Sequence, residues 1–592
     1  MDSRVTGDFI FGTLGTDELR LAHEKGRLRH LWHGSRVSPP DPRPGDEVTF
    51  TVTVGVQLSV SSIEILLTRN GSRPTELAES VACKRQSVEW STIAWGYVET
   101  WTATMPAEQE ELWRYQIRAI TPNGKTIWAD VHEFTGEPGL FALSIDTARE
   151  PSWLGNAVIY QVFVDRFARD HGQMFELQPT LNDIWGGTLR GVIEHLDYIQ
   201  QLGANAIWLS PIFPSPTHHG YDITDYMAIE PRLGSIEDFD ELVAAAHARG
   251  IRIILDFVAS HCSNLHPVFQ RALTDPQASE RDYFIFNKDG SYESFFGVES
   301  MPRINGDSEP ALDWLLEATD FWLDRGVDGF RLDYAIGQSL QFWTLFKLHV
   351  QQRNPQFALI AEAVDSAETL RSYRGRLDGV LDFLFLEKVR SFIGFEESSA
   401  AEFWRFCDRH MQWFTDGPRP VTFLDNHDMN RLLWIVQGDT RKLKIAALVQ
   451  FTLPSPAVIY YGTEVGLSQW HDLEFPDGSR RMEESRTPML WGADQDRDLL
   501  DFYRSLLFWR KKFSIDQLEA RLVHAGDDGT LVYTIGPWLV VINRGGEPAD
   551  IALDEPGSIW LALGTDRDVQ LQGNLISLPP YSGAILANQL AR

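Results

Sequence analysis

Two short segments set the chemistry available to this sequence. In Gly329-Phe330-Arg331-Leu332-Asp333, the alternation of an extended strand puts Arg331 and Asp333 on one face, two residues apart. A guanidinium that close lowers an aspartate pKa and keeps the carboxylate ionised, as a nucleophile requires. In Ala358-Leu359-Ile360-Ala361-Glu362-Ala363-Val364 a lone acid, Glu362, ends an apolar run. Apolar surroundings raise a carboxyl pKa, as a general acid requires. Taken alone, the first segment is equally an ordinary strand-end salt bridge, and the second a partner-paired or barrel-bottom glutamate. Two further clusters, Asp256-Phe257-Val258-Ala259-Ser260-His261 and Phe423-Leu424-Asp425-Asn426-His427-Asp428, also close apolar runs. Four polar clusters at four strand ends shift the weight toward one shared site.

The elements that must hold these residues follow from the pattern past Pro151, where helices end in glycine and run into apolar strands. The helix expected over Ser235 to Arg249 opens on Ser235 with Asp238 three residues on, carries Phe239, Leu242, Val243 and Ala246 on one face, and stops at Gly250. A strand, Ile251 to Asp256, follows at once. The same unit recurs around Gly203 and Gly326, which implies parallel strands joined by helical crossovers. Asp165 and Arg166, Asp256 to His261, Arg331 and Asp333, Glu362, and Asp425 to Asp428 all fall at C-terminal strand ends. Convergence of many strand ends on one face is the property of a (β/α)8 TIM barrel, preferred here over a doubly wound sheet.

At 592 residues the chain exceeds one hydrophobic core. Residues 1–148 contain short alternating stretches such as Val48 to Val54 and Ser62 to Leu67, with Pro44-Gly45 and Asn70-Gly71 turns, and read as an N-terminal β-sandwich. The barrel is expected over 149–513, with a small inserted subdomain at about 262–309 after the third strand. Residues 514–592 return to short β segments and read as a C-terminal β-sandwich. Twenty tryptophans are present. Trp90, Trp95, Trp101 and Trp113 are assigned to core or domain-interface packing ahead of a glucan-binding surface.

Hydrophobic residues make up 43% and charged residues 23%, and the formal net charge is -30. Such a surface lacks the basic footprint that nucleic acids or anionic membranes need. The three cysteines, Cys83, Cys262 and Cys407, have neither zinc-site nor disulfide spacing. With no signal-peptide pattern and no membrane-spanning run, the expected location is the cytoplasm.

Taken in chain order, Asp256 to His261, Gly329 to Asp333, the segment around Glu362 and Phe423 to Asp428 resemble the four motifs of the α-amylase family of glycoside hydrolases, across roughly residues 150 to 512. The resemblance implies Asp333 as nucleophile, Glu362 as acid/base and Asp428 as the carboxylate that binds ring hydroxyls and stabilises the transition state. It also implies that His261, Arg331 and His427 hold the sugar, and that His219-Gly220-Tyr221-Asp222 is the loop whose tyrosine stacks on it. Met301-Pro302-Arg303-Ile304-Asn305 is similar to a motif of the neopullulanase, cyclomaltodextrinase and maltogenic amylase branch. That branch implies retaining hydrolysis of α-1,4-glucosidic bonds, with α-1,6 bonds left open, in cyclodextrins, maltooligosaccharides or pullulan. It also implies a homodimer.

Departures from the family pattern carry expectations too. Ser260 stands where the family usually has an asparagine that helps bind calcium, and the calcium loop after Asp165-Arg166-Phe167 is missing, so neither calcium nor another cofactor is expected. Ala361 and Ala363 flank the acid, and Tyr334 to Gly337 lack the residue pairs of the known branches, which leaves acceptor preference open. The alternatives are a transglycosylase or isomerase, like trehalose synthase or amylosucrase, and a catalytically dead binding subunit, which would lack the three carboxylates found here.

Overall fold

A computed structural model describes residue 12 and residues 17–553 and 559–588. The parts of the expected terminal domains at 1–11, 13–16, 554–558 and 589–592 lie outside the described residues.

The middle of the chain is the expected barrel. Its strands are β1 (Val158–Val162), β2 (Ala206–Leu209), β3 (Arg252–Phe257), β4 (Gly329–Leu332), β5 (Ala358–Ala361), β6 (Gly379–Leu381), β7 (Arg419–Val421) and β8 (Ala457–Tyr460). All pair in parallel, in the order 7-6-5-4-3-2-1-8. Thr422, just past β7, donates to the Pro456 carbonyl (2.9 Å) and accepts from the Val458 N–H (2.8 Å), which closes the ring. Nearly every strand residue is buried, because helices cover one face and side chains fill the other. Ile159, Trp208, Ile254, Ile360, Leu381, Val421 and Val458 form the interior cluster.

Local signals explain the crossovers. Helix α1 (Ile236–His247) starts with a reciprocal capping box between Ser235 and Asp238, a feature that contributes about 1 kcal/mol, and buries Phe239, Leu242, Val243 and Ala246. Gly250 takes φ +71°, open to glycine at little cost, and turns the chain into β3. Helix α2 (Glu309–Asp324) is followed in the same way by Gly326, at φ +82°, and then β4. Around Gly203 the expected single helix is instead two, Leu189–Glu194 and Leu196–Leu202, broken at His195.

Register then places the chemistry. Asp256 of β3 pairs with Arg331 of β4, and Leu332 of β4 with Ala361 of β5. The Glu362 N–H still donates to the Leu332 carbonyl (2.9 Å), so one step further along the strands Asp333 stands beside Glu362. Between β3 and β4, helix Pro267–Thr274 and antiparallel bridges His261–Arg303, Phe284–Ile304 and Ser294–Pro302 build a small unit over the barrel mouth.

Antiparallel sheets flank the barrel on both sides. Before it, two five-stranded sheets enclose Val48, Phe50, Val52, Trp113, Tyr115 and Ile117. Trp101 and Trp113 are buried there, but Trp90 and Trp95 are 48% and 75% exposed, which corrects their assignment to packing. They lie on and beside Lys84–Ser91, an edge strand of its sheet, and pack against each other and, for Trp90, against Tyr97. Helix α3 (Leu340–Arg353) packs on strand Phe141–Ile145, and Arg114 pairs with Glu309 (2.7 Å), which seats this region on the barrel. After the barrel, a five-stranded and a three-stranded sheet share a core that includes Val532, Val541, Ile576 and Leu578.

Candidate active site

The four sequence clusters meet at the C-terminal end of the barrel around one buried guanidinium. Arg331 Nη1 donates to Asp256 Oδ1 and Asp333 Oδ1, both at 2.7 Å. Its Nη2 lies 2.5 Å from Glu362 Oε1, an ion-pair contact that is not aligned as a hydrogen bond. Glu362 Oε2 accepts the Tyr334 N–H (3.1 Å). Asp256 Oδ2 accepts from Trp208 Nε1 and from the Tyr221 hydroxyl, each at 3.0 Å.

A second guanidinium serves Asp428. Arg486 Nη2 donates to Asp428 Oδ1 (2.7 Å) and Arg486 Nε to the His427 carbonyl (2.9 Å). His427 Nε2 lies 3.0 Å from Asp428 Oδ2 and 2.5 Å from the Tyr221 hydroxyl. The Gln161 amide donates to His427 Nδ1 (2.8 Å), so the imidazole proton sits on Nε2, toward Asp428. The Tyr221 and His427 rings are parallel with centroids 5.5 Å apart, His427 meeting the hydroxyl end of Tyr221, and the His219 ring lies 6.0 Å from Tyr221 at 27°.

Asp333, Glu362, Asp428, His219, Tyr221 and His261 line one cavity of about 250 Å³; Arg331 and His427 lie beneath its floor and hold the residues that line it. His261 bonds Ser260 Oγ through Nδ1 (2.8 Å), while its buried Nε2 has no partner among the described residues. Sequence reasoning missed Arg486 and Glu483, and, of the rim, Phe295, Phe296 and Met482; Met301, Tyr334, Ile336 and Val364 complete that rim. Tyr334 and Phe296 hold left-handed backbone (φ +43° and +47°), which costs each about 1–3 kcal/mol and marks a constrained rim. Among the rim residues, Met301, Tyr334, Ile336 and Val364 carried a signal, as parts of segments compared with family motifs.

Four carboxyls here face two guanidiniums, and their ionisation divides accordingly. Burial pushes Asp333 up to about 7 and Asp256 up to about 6, against the pull of Arg331. Burial also raises Glu362 above the ordinary range. This corrects the expectation that Arg331 holds Asp333 low: one guanidinium is shared among three buried carboxyls, and desolvation outweighs its charge. Burial acts on Asp428 in the same direction, but His427, Arg486 and Arg331 together hold it below the usual carboxylate range. His427 and His261 are pushed down by burial, His261 to about 3, and are neutral hydrogen-bonding groups at pH 7. A site that keeps a proton among Asp256, Asp333 and Glu362 while Asp428 stays charged is equipped for acid catalysis beside a fixed negative charge.

No group of three or more His, Cys, Asp or Glu side chains among the described residues is arranged to hold a metal. Ser260 Oγ is engaged with His261. Beside the site, buried Arg166 donates to Asp165 Oδ2 (2.8 Å) and to the carbonyls of Leu181 (2.6 Å), Asp183 (3.2 Å) and Arg486 (3.0 Å). Among the described residues, no helix is long and apolar enough to cross a membrane.

Comparison with known proteins matches residues 161–502 to the family described as alpha amylase, catalytic domain. The chain is 36% identical over 588 residues to Alpha-amylase 2 of Dictyoglomus thermophilum, covering 98% of each chain. It is 32% identical over 515 residues to Neopullulanase 2 of Thermoactinomyces vulgaris, covering 80% of this chain and 86% of the relative. Among solved structures, a cyclomaltodextrinase superposes with a TM-score of 0.66 at 25% identity, over 95% of this chain and 100% of that one.

Proposed function

This chain belongs to the α-amylase family of glycoside hydrolases, with relatives named neopullulanase and cyclomaltodextrinase, and from that premise we propose that it cleaves α-1,4-glucosidic bonds with retention of configuration. The substrates we assign are cyclodextrins, maltooligosaccharides and pullulan, the last adding α-1,6 bonds.

One observation carries the reading: Asp333 and Glu362 stand side by side on adjacent strands over one shared guanidinium. Adjacent strands run about 4.8 Å apart, which favours the roughly 5–5.5 Å carboxyl spacing of retaining enzymes over the roughly 6.5–9.5 Å of inverting ones. Glu362 gives its proton to the glycosidic oxygen as Asp333 attacks the anomeric carbon and the leaving sugar departs. Glu362 then takes a proton from water, whose oxygen displaces the Asp333 carboxylate. Asp428 and His261 bind the ring hydroxyls, and Tyr221 stacks on the sugar. Arg331 divides its charge between the two reacting carboxyls.

Three subsidiary readings go with it. Calcium is not required, because Arg166 already occupies the carbonyls of the loop beside Asp165. Two copies associate in solution, a state that light scattering measures directly. The three cysteines are free and buried, in keeping with a reducing cytoplasm.

The test is product analysis after incubation with maltotriose, β-cyclodextrin, pullulan, maltose and sucrose. Release of α-anomeric maltose and glucose from maltotriose and β-cyclodextrin, and of an α-anomeric trisaccharide from pullulan, with maltose and glucose as well if α-1,6 bonds are cut, supports the reading. Cleavage or isomerisation of sucrose or maltose alone contradicts it.

A further inference from the structure

The Glu362 carboxyl is held by two groups that the reaction does not consume. One is Arg331, which it shares with Asp333. The other is the backbone N–H of Tyr334, which donates to Glu362 Oε2 at 3.1 Å. Tyr334 takes left-handed backbone (φ +43°), a conformation that a tyrosine keeps only where its surroundings over-determine it. Neighbouring groups must therefore hold it there.

Those groups come chiefly from the small unit between β3 and β4. Phe295 meets the Tyr334 ring edge-on with centroids 5.0 Å apart, and Phe296 lies 5.1 Å away at 53°. Arg303 sets its guanidinium 5.9 Å from the same ring, pairs with Glu293 (3.3 Å) and donates through Nη2 to the Gly337 carbonyl. Gly337 in turn backs the ring, since a Cβ there would stand 2.5 Å from Tyr334 Cδ1. The rest of the turn is fixed separately, by Trp343 Nε1 on the Ala335 carbonyl (2.9 Å) and by the Gln338 amide on the carbonyls of Ala259 (2.8 Å) and Ile304 (3.1 Å). The Tyr334 peptide joins this assembly to the Glu362 carboxyl.

We propose that Tyr334 is a positioning residue for the acid: the inserted unit grips its ring through Phe295, Phe296 and Arg303, and so fixes the N–H that orients the Glu362 carboxyl for proton donation. This rests on the role of Glu362 in the reading above and deepens it, because it gives the inserted unit a part in the chemical step.

The experiment measures kcat/KM against pH on maltotriose and on a nitrophenyl α-maltoside, whose phenolate departs with little help from an acid. Arg303→Met keeps the stem and removes the donor, Arg303→Lys restores a donor, and the methyl of Gly337→Ala displaces the Tyr334 ring. Arg303 and Gly337 lie outside the residues that line the catalytic cavity. Thermal melts confirm folding, and Phe296→Ala, at a 58% exposed position, decides alone should Arg303→Met and Gly337→Ala not fold. On maltotriose these variants are expected to lose about ten-fold or more, and on the aryl maltoside less than about three-fold. Arg303→Lys is expected to recover most of the loss. A carboxylate that loses an N–H donor holds its proton more tightly, so the basic limb is expected to move upward by about half a pH unit or more. Arg331 and Asp333 on and just past β4, Asp256 on β3 and Asp428 past β7 also face Glu362, and every variant leaves them in place. Equal losses on the two substrates, no loss on either, or an unmoved basic limb overturns the proposal. A wild type that cleaves neither substrate overturns the glucan-cleaving reading itself, a distinct outcome.

Discussion

Asp333 and Glu362 share Arg331: Nη1 bonds the first at 2.7 Å and Nη2 lies 2.5 Å from the second. Neighbouring parallel strands bring them level, so their separation is a property of the barrel and not of a mobile loop. The roles of the two carboxyls then differ by what each must do with a proton.

Glu362→Gln removes the acid and keeps the shape. Its kcat on maltooligosaccharides is expected to fall by about 10²–10⁴, the usual worth of a positioned acid. An aryl α-maltoside with a nitrophenol leaving group needs little proton donation, so its first step is expected to lose far less. Steady-state and burst kinetics on both substrates check this; equal losses on both would assign Glu362 another role.

Asp333 affects stability with a definite sign. Its folded pKa, about 7, lies above the value of about 3.9 for an unfolded aspartate, so the folded state binds the proton more tightly. Wild-type stability therefore drops as pH rises from about 4 to about 7 through this group. Asp333→Asn has no proton there to lose, and its stability relative to wild type is expected to grow by about 1 kcal/mol or more across that window. Denaturant melts at both pH values measure the change; a constant difference contradicts it.

Arg486→Ala leaves Asp428 buried with only His427 and the more distant Arg331 to oppose desolvation. A charge-assisted hydrogen bond is worth about 1.5–3 kcal/mol, so kcat/KM is expected to fall about 10–100-fold. Asp428 then protonates more readily, and the acid limb of the pH profile is expected to move upward. An unshifted limb would mean that Arg486 acts on packing alone.

Arg166 is expected to do without calcium the work of a bound cation. EDTA leaves activity and Tm unchanged on this account, while Arg166→Ala, which leaves the buried Asp165 carboxylate with only the Trp185 and Gly186 N–H groups, costs about 3–5 kcal/mol. Activity lost in EDTA and restored by Ca²⁺ would reverse this assignment.

How much of this was legible beforehand depended on whether the signal was local. Strand alternation at Arg331 and Asp333, the apolar run into Glu362 and the capping box at Ser235 are local patterns, and the barrel followed from them, while the roles of Asp333, Glu362 and Asp428 came from the resemblance of four such segments to family motifs. Arg486 meets Asp428 across 58 residues, from a short 3-10 turn with no periodicity to announce it. The ionisation of Asp333 was misjudged because the competition of Asp256 and Glu362 for Arg331 exists only once three strands are side by side. Trp90 and Trp95 were misplaced for a related reason: sequence does not tell an edge strand from a covered one.

The most direct test of Asp333 as nucleophile is to trap the glycosyl-enzyme with a 5-fluoro-α-glucosyl fluoride and map the modified peptide by mass spectrometry. The expected result is a glucosyl adduct on Asp333, absent from Asp333→Asn. An adduct on Glu362 or Asp428, or turnover to the β-anomer with no adduct at all, would contradict the account.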